Sequence, residues 1–198
     1  MSQAAGKKVR GGTRARLLEA ARLELVEGGG DVEVAKVAKR AGASDGLAYY
    51  HFGNKTGLLN AIVSEFYQAL DDKVVGVPFA GETWAEREKA RTYAMVEYFY
   101  NDPVAMLIAT RLRTEPAFAA EEAERSNRLN ELGATNIAQA QRAGEIDADF
   151  DPLLLVASML AGLMAGIRVA LEMEPPMPLA EAQAALWAFV ARTAGLTP

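Results

Sequence analysis

The sequence predicts an all-α protein of about nine helices, with a short N-terminal three-helix unit containing a helix-turn-helix and a longer helical unit after it. Three observations carry this. Apolar residues recur at the three- and four-residue spacing of one helix face in segment after segment. Two short segments of this kind, ending at Ala41 and opening at Ser44, are separated by a turn around Gly42. Glycine- and proline-bearing breaks separate the others, as at Gly28-Gly29-Gly30 and Asn101-Asp102-Pro103.

Composition narrows the function classes. At 198 residues the chain is one large domain or a small one joined to a medium one, and either can bury a hydrophobic core. The absence of cysteine excludes a disulfide framework, thiolate metal sites and thiol catalysis. The start, MSQAAGKKVRGG, lacks the apolar stretch of a secretory signal, so a reducing cytoplasm is expected. Residues 1–55 hold ten Lys or Arg against six Asp or Glu, a net of +4; the remainder holds eleven against twenty, −9, for a total of −5. A basic end on an acidic protein points to a polyanion met by the N-terminal part alone, and a chance fluctuation among solvated side chains explains the charge by itself equally well.

Residues 1–12 are basic, glycine-rich and aperiodic, and are expected to form a flexible arm. Lys7, Lys8 and Arg10 either follow phosphates or a minor groove, or belong to a plain disordered tail. Thr13 precedes a first helix in which Leu18, Ala21 and Leu25 share a face, and the three glycines from Gly28 end it. Val34, Val37, Ala38 and Ala41 form the next face, which Gly42 stops as an achiral residue suited to a left-handed cap. Ser44 is the expected N-cap of a second short helix carrying Asp45, Gly46, Leu47, Tyr49 and Tyr50.

These residues resemble the DNA-binding half of the TetR (tetracycline-repressor-type) family of bacterial transcription regulators. The matching stretches are Val37-Ala38, Arg40-Ala41-Gly42-Ala43-Ser44, Tyr49-Tyr50-His51-Phe52 and Lys55, dense and ungapped. The sequence departs at Glu33, where the family often has a capping Thr or Ser, and at Ala48, where a larger aliphatic is usual; Asp31 is the expected substitute cap. The resemblance implies a helix-turn-helix domain over residues 13–57 and a ligand-binding and dimerisation domain over 58–198. It also implies a homodimer on a double-stranded DNA operator and a small-molecule effector.

The helix opened by Ser44 is then the recognition helix, laid in a major groove. Asp45 can only accept, so a cytosine amino group suits it; Gly46 lets the backbone come close; Leu47 suits a thymine methyl; Tyr50 completes the reading set. Tyr49, His51 and Lys55 are expected to grip phosphates, while Phe52 belongs to the core. The family commonly brings residues matching Thr13 and Arg14 to the DNA backbone, and a free N–H at a helix start beside a hydroxyl and a cation suits a phosphate.

A helix follows from Lys55 through Leu70, with Leu59, Ile62, Val63 and Phe66 at helical spacing. VGVPFAGET reads as a loop, and a helix runs from Trp84 through Tyr100. Pro103 suits the first turn of a helix to about Arg113; Pro116 opens a longer one closed by Gly144, with Leu129, Leu132, Ile137 and Ala140 as its apolar positions. Asp147, Asp149 and Asp151 alternate like calcium ligands, but Pro152 stands where an EF-hand needs Gly and Ser158 where it needs Glu. Asp151 capping a helix with Pro152 in its first position accounts for the stretch, and neither a metal nor another cofactor is expected.

Residues 153–167 carry no charge, yet fifteen residues fall short of the roughly twenty a bilayer needs, so a buried helix rather than a membrane span is expected. Ala157, Ala161 and Ala165, with Ser158, Gly162 and Gly166 beside them, form a strip of small residues that admits another helix closely. A last helix, from Leu179 to about Ala194, carries Leu186, Trp187, Phe189 and Val190. Two apolar C-terminal helices resemble the family's four-helix dimer interface, which assigns Ala157, Ala161, Gly162, Ala165, Leu186, Trp187 and Val190 to it.

Met95, Tyr98, Phe99, Met106, Phe118, Met159 and Met164 either line an adaptable apolar pocket or form ordinary core. Arg111, Arg113 and Asn136 are candidates for orienting a ligand, against pairing of the arginines with surface acids. The expected function is a repressor released from a palindromic operator by a small hydrophobic or aromatic effector. A regulator whose C-terminal part only dimerises or binds a protein is the alternative. An all-helical enzyme finds less support, with one histidine and no nucleophile and base at fixed spacing.

Overall fold

The computed structural model describes residues 2–110 and 119–196. Among them are nine α-helices: α1 Ser2–Glu27, α2 Val34–Arg40, α3 Asp45–Phe52, α4 Lys55–Leu70, α5 Trp84–Asn101, α6 Ala105–Thr110, α7 Ala119–Arg142, α8 Pro152–Glu172 and α9 Leu179–Thr193. The chain divides into two compact units, with the boundary between Ala69 and Leu70.

In the first unit, α1 begins at Ser2 rather than after Thr13, so the backbone of the expected arm continues the helix. Once a helix exists, each added residue of good helix propensity extends it without a new nucleation penalty, and Ala, Gln, Lys and Arg in this stretch are such residues. The expected division after residue 57 also moves. Leu58, Ile62 and Phe66 are fully buried along one face of α4, and Arg22 on α1 lies 3.8 Å from Glu65 on α4, so α4 belongs to the N-terminal unit. Asn54 starts α4 by accepting the Gly57 N–H at 2.9 Å, a cap the sequence reading passed over.

The second unit opens with a π-helical segment, Asp71–Val75, continuing directly from α4. Asp71 receives Arg125 at 2.9 Å and Arg128 at 2.6 Å, two arginines one turn apart on α7. α5 starts at a capping box: Thr83 accepts from the Glu86 N–H while the Glu86 carboxylate accepts from the Thr83 N–H. The Trp84 N–H donates to the Glu145 carboxylate, pinning the start of α5 to the connection after α7. Trp84, Ile137, Ala140, Ile146, Leu155, Val156, Met159, Trp187, Val190 and Ala191 form one buried cluster drawn from α5, α7, α8, α9 and the connection between α7 and α8. Gly133 lets α7 approach α8, because a Cβ there would strike Val156.

Leu132, expected on the apolar face of α7, is 57% exposed; Ile137 and Ala140 carry the inward face instead. The expected helix end near Arg113 and the helix start at Pro116 lie outside the described residues. Gly144, at φ 73, does terminate α7. α8 is long and apolar enough to cross a membrane by length and composition. Its inward stripe, Leu155, Val156, Met159, Leu163, Ile167 and Ala170, is instead buried in the helical unit.

The start of α8 follows from local chemistry. Asp151 Oδ1 accepts the Leu154 N–H at 2.9 Å, with Pro152 in the first turn where no N–H is needed. Asp147 Oδ1 accepts the Asp149 N–H at 2.9 Å, so both carboxylates serve the turn itself. Asp151→Ala is expected to lower stability by about 1 kcal/mol and the melting temperature by roughly 2–4 °C, read by circular dichroism, with the fold intact.

Candidate functional sites

The reversal between α2 and α3 is a complete helix-stop motif. Gly42 takes φ 63, its N–H donates to the Lys39 carbonyl at 3.2 Å, and the Ala43 N–H donates to the Ala38 carbonyl at 2.9 Å. Ser44 then caps α3, its Oγ accepting the Leu47 N–H at 3.3 Å. Ala38 and Ala48 are both buried, and side chains this small let the two helices approach closely. Ala48 is one of the two positions at which the sequence departs from the family pattern, where a larger aliphatic is usual.

Burial divides α3 into two faces. Ala48 and Phe52 point inward, whereas Asp45, Gly46, Tyr49 and Tyr50 are exposed and Leu47 is half-buried. Tyr49 and Tyr50 are 52% and 67% exposed, which rules out core packing as their role. A Cβ at Gly46 would meet nothing within 4 Å, so its surface is open to close approach. A face of one acceptor, two phenols, an aliphatic side chain and bare backbone suits groove contacts by hydrogen bonding and van der Waals packing.

Of the expected backbone contacts, Thr13 and His51 sit differently from that expectation, while Arg14 and Lys55 are exposed. Thr13 is buried in the middle of α1, so no helix start with free N–H groups exists there. Arg14 is exposed, and its guanidinium lies over the Phe52 ring at 5.4 Å, beside the end of α3. His51 is half-buried with Nε2 inside the unit and its ring 5.4 Å from Tyr50 and 6.2 Å from Phe52, which makes it a packing residue rather than a phosphate grip on that nitrogen. Lys55 is exposed and paired with Asp31, so Asp31 serves the lysine instead of capping α2. The cap position of α2 is Glu33, whose carboxylate turns to Lys36 at 2.8 Å.

Arg40 was not singled out in the sequence beyond its place in the motif. Its guanidinium reaches Glu24 at 2.7 Å and Glu27 at 3.0 Å, fastening the end of α2 to α1. The two carboxylates, Glu27 first and then Glu24, raise its pKa and hold the charge in place. The only sequence signal was a pair of acids three apart on α1, which does not name its partner.

In the second unit, Met95 and Phe99 lie buried on the inward face of α5, Tyr98 is half-buried with the Lys73 ammonium 5.7 Å from its ring, and Met106 on α6 and Asn136 on α7 are half-buried. Met159 stands apart in the packed cluster with Trp84 and Trp187. Arg111, Arg113 and Phe118 lie outside the described residues. The expected interface set divides. Ala161 and Ala165 are exposed and Ala157 half-buried, whereas Leu186, Trp187 and Val190 are buried within the chain's own helices. Gly162 and Gly166 are likewise spent internally, since a Cβ at either would strike Phe189 or Leu186 of α9. The exposed large hydrophobics of the same helices are Leu153, Leu154, Val169 and Phe189.

Residues 17–62 match the family model described as "Bacterial regulatory proteins, tetR family". A solved structure from Rhodococcus sp., assigned to the TetR-family transcriptional regulators, is 25% identical, with 92% of this chain and 98% of that one covered at a TM-score of 0.68. RolR, solved with its ligand resorcinol, is 20% identical, with 96% and 91% covered and a TM-score of 0.62. The fatty acid degradation regulator FadR from Bacillus halodurans is 17% identical, with 89% and 93% covered and a TM-score of 0.67. The comparison with curated proteins finds no match.

Removing Lys55 with Lys55→Ala is expected to weaken binding to every duplex alike and to flatten the salt dependence by about one unit of slope. Asp45→Asn and Tyr50→Phe are expected instead to redistribute preference among duplexes, by roughly 1–3 kcal/mol at the affected base pair. Fluorescence anisotropy on a duplex library at several salt concentrations measures both, and a uniform loss in all three variants contradicts this division of roles.

Proposed function

We propose, from the premise that the chain belongs to the TetR family of bacterial transcription regulators, that it acts as a homodimeric cytoplasmic repressor released from a palindromic operator by a small hydrophobic or aromatic effector. The observation that carries the DNA-binding part is the outward face of α3, with Tyr49 and Tyr50 projecting from a helix whose other side is anchored by Ala48 and Phe52. The protein is a regulator and not an enzyme, as its structural relatives are.

Dimerisation is supported by the surface of α8 and α9. Leu154, Ala161, Ala165 and Val169 follow one stripe of α8 and are exposed, and Phe189 is exposed on α9. Apolar side chains at helical spacing on two adjacent helices form a patch that water disfavours and a second copy covers. Two copies present two α3 helices to two half-sites of a palindrome. An effector that binds the DNA-incompetent arrangement more tightly releases the operator, and the operator weakens effector binding by the same factor.

A small hydrophobic or aromatic effector is supported by Met95, Phe99 and Met106 on α5 and α6, and by the resorcinol bound to RolR. A second reading, in which the C-terminal unit only pairs or holds a protein, draws on the same exposed stripe. Thermal shifts against a compound panel and a search for copurified small molecules separate the two readings. Ala161→Glu combined with Ala165→Glu is expected to turn a dimer into a monomer by light scattering. The same variant is expected to bring affinity for a palindrome down by about 1,000-fold or more, to the level of a scrambled duplex. A wild-type protein that binds both duplexes equally at moderate salt refutes the sequence-specific reading.

A further inference from the structure

The inward face of α5 contains a hydroxyl that the fold leaves without a use. Thr92 is 1% exposed, and its Oγ1 has no hydrogen-bond partner among the described residues. A helical threonine ordinarily meets this need one turn back along its own helix, and others in this chain do so. Thr110 donates to the Met106 carbonyl at 2.7 Å, Thr135 to the Glu131 carbonyl at 3.0 Å and Thr193 to the Phe189 carbonyl at 2.9 Å. Thr92 makes no such bond to the Glu88 carbonyl four residues back.

The neighbours along this face say what could meet the hydroxyl. Met95, Val96 and Phe99 continue it as a buried apolar run. Trp84, about 12 Å away along the helix axis, also has a buried donor without a partner, at Nε1, but its ring is packed in the cluster with Met159 and Trp187. Glu88, one turn before Thr92, is matched by Arg91, and that pairing opposes the burial that pushes its carboxyl up. Glu88 and Arg91 answer each other, and Lys89 is exposed with its ammonium over the Tyr93 ring, so a charged headgroup arriving at Thr92 would find no free counter-ion on the buried face of α5.

Resting on the effector reading above, we infer that the effector is a neutral, largely apolar molecule bearing a hydroxyl or ketone oxygen, and that Thr92 Oγ1 recognises that oxygen. The apolar run beyond it holds the body of the molecule. A buried hydroxyl built to meet an oxygen discriminates against the hydrocarbon of the same shape, because that analogue leaves the hydroxyl desolvated and unbonded.

The test uses full-length protein and two matched sets, each with a hydroxyl, a ketone, a hydrocarbon and a carboxylate. One set is phenol, acetophenone, toluene and benzoate, and the other is 2-naphthol, 2-acetylnaphthalene, 2-methylnaphthalene and 2-naphthoate. Thermal shift, which needs no DNA, and release of a bound palindrome are both read. In at least one set the two neutral oxygen compounds are expected to act at concentrations at least about tenfold lower than the hydrocarbon or the carboxylate. Thr92→Val is expected to erase that preference while leaving operator binding intact, and Thr92→Ser to keep it. Without ligand, Thr92→Val is expected to melt at the same temperature as wild type or higher, since the hydroxyl has no bond to lose. Hydrocarbons or carboxylates that act as well, a preference that survives Thr92→Val, or a lower melting temperature for ligand-free Thr92→Val each overturn the inference. Thermal shifts with the expected preference but no palindrome binding refute the operator reading and leave Thr92 in its role. Silence from both sets refutes the effector reading and this inference together.

Discussion

The presentation of α3 depends on how closely α2 and α3 meet. Ala38 and Ala48 are both buried, and Gly42 turns the chain between them in a left-handed conformation. A longer side chain at either alanine would lever the helices apart, and a residue with a Cβ at Gly42 would strain the backbone there. With this corner closed, the inward side of α3 is used up by Ala48 and Phe52, and Asp45, Tyr49 and Tyr50 have only the outside left to them. Arg40 adds a polar fastening at the end of α2, held by Glu24 and Glu27 of α1. Exposure of Asp45, Tyr49 and Tyr50 is thus a by-product of packing on the opposite face.

The second unit follows a similar economy. Glycines at positions 133, 162 and 166 let α7, α8 and α9 come together, and Trp84 and Trp187 fill the interior that results. Because α8 is apolar nearly all round, this packing uses one side and leaves Leu154 and Val169 facing out. An uncovered apolar side on a helix otherwise built into a core is the surface on which the proposed pairing of two copies rests. Asp71, held by Arg125 and Arg128, ties the π-helical start of the unit to α7.

Much of this was legible where a feature depends on neighbours in sequence. Periodicity marked the helices, Gly42 and Ser44 marked the reversal by local hydrogen bonding, and Asp151 with Pro152 marked the start of α8. Features that depend on distant residues were not legible. Arg40 finds its acids 13 and 16 positions away, and Asp71 finds its arginines 54 and 57 positions away. Orientation failed for a related reason. On α9 the apolar pattern is wide enough to face two ways, so Leu186, Trp187 and Val190 suit an interface as well as a core until packing selects the core. Likewise a basic, glycine-rich start reads as irregular, although an established helix can extend back through it.

The joint between α3 and α4 leaves almost no play. Asn54 caps α4 immediately after α3 ends, and Gly57 lies so near the Phe52 carbonyl that a Cβ would collide with it. A joint this tight leaves little room for bending, so a slide or tilt of α4 is expected to carry α3 with it. Groove contacts are short-ranged, and a shift on the order of 1 Å is enough to misalign hydrogen bonds with base edges. In mechanical terms the joint offers the two helices little slack.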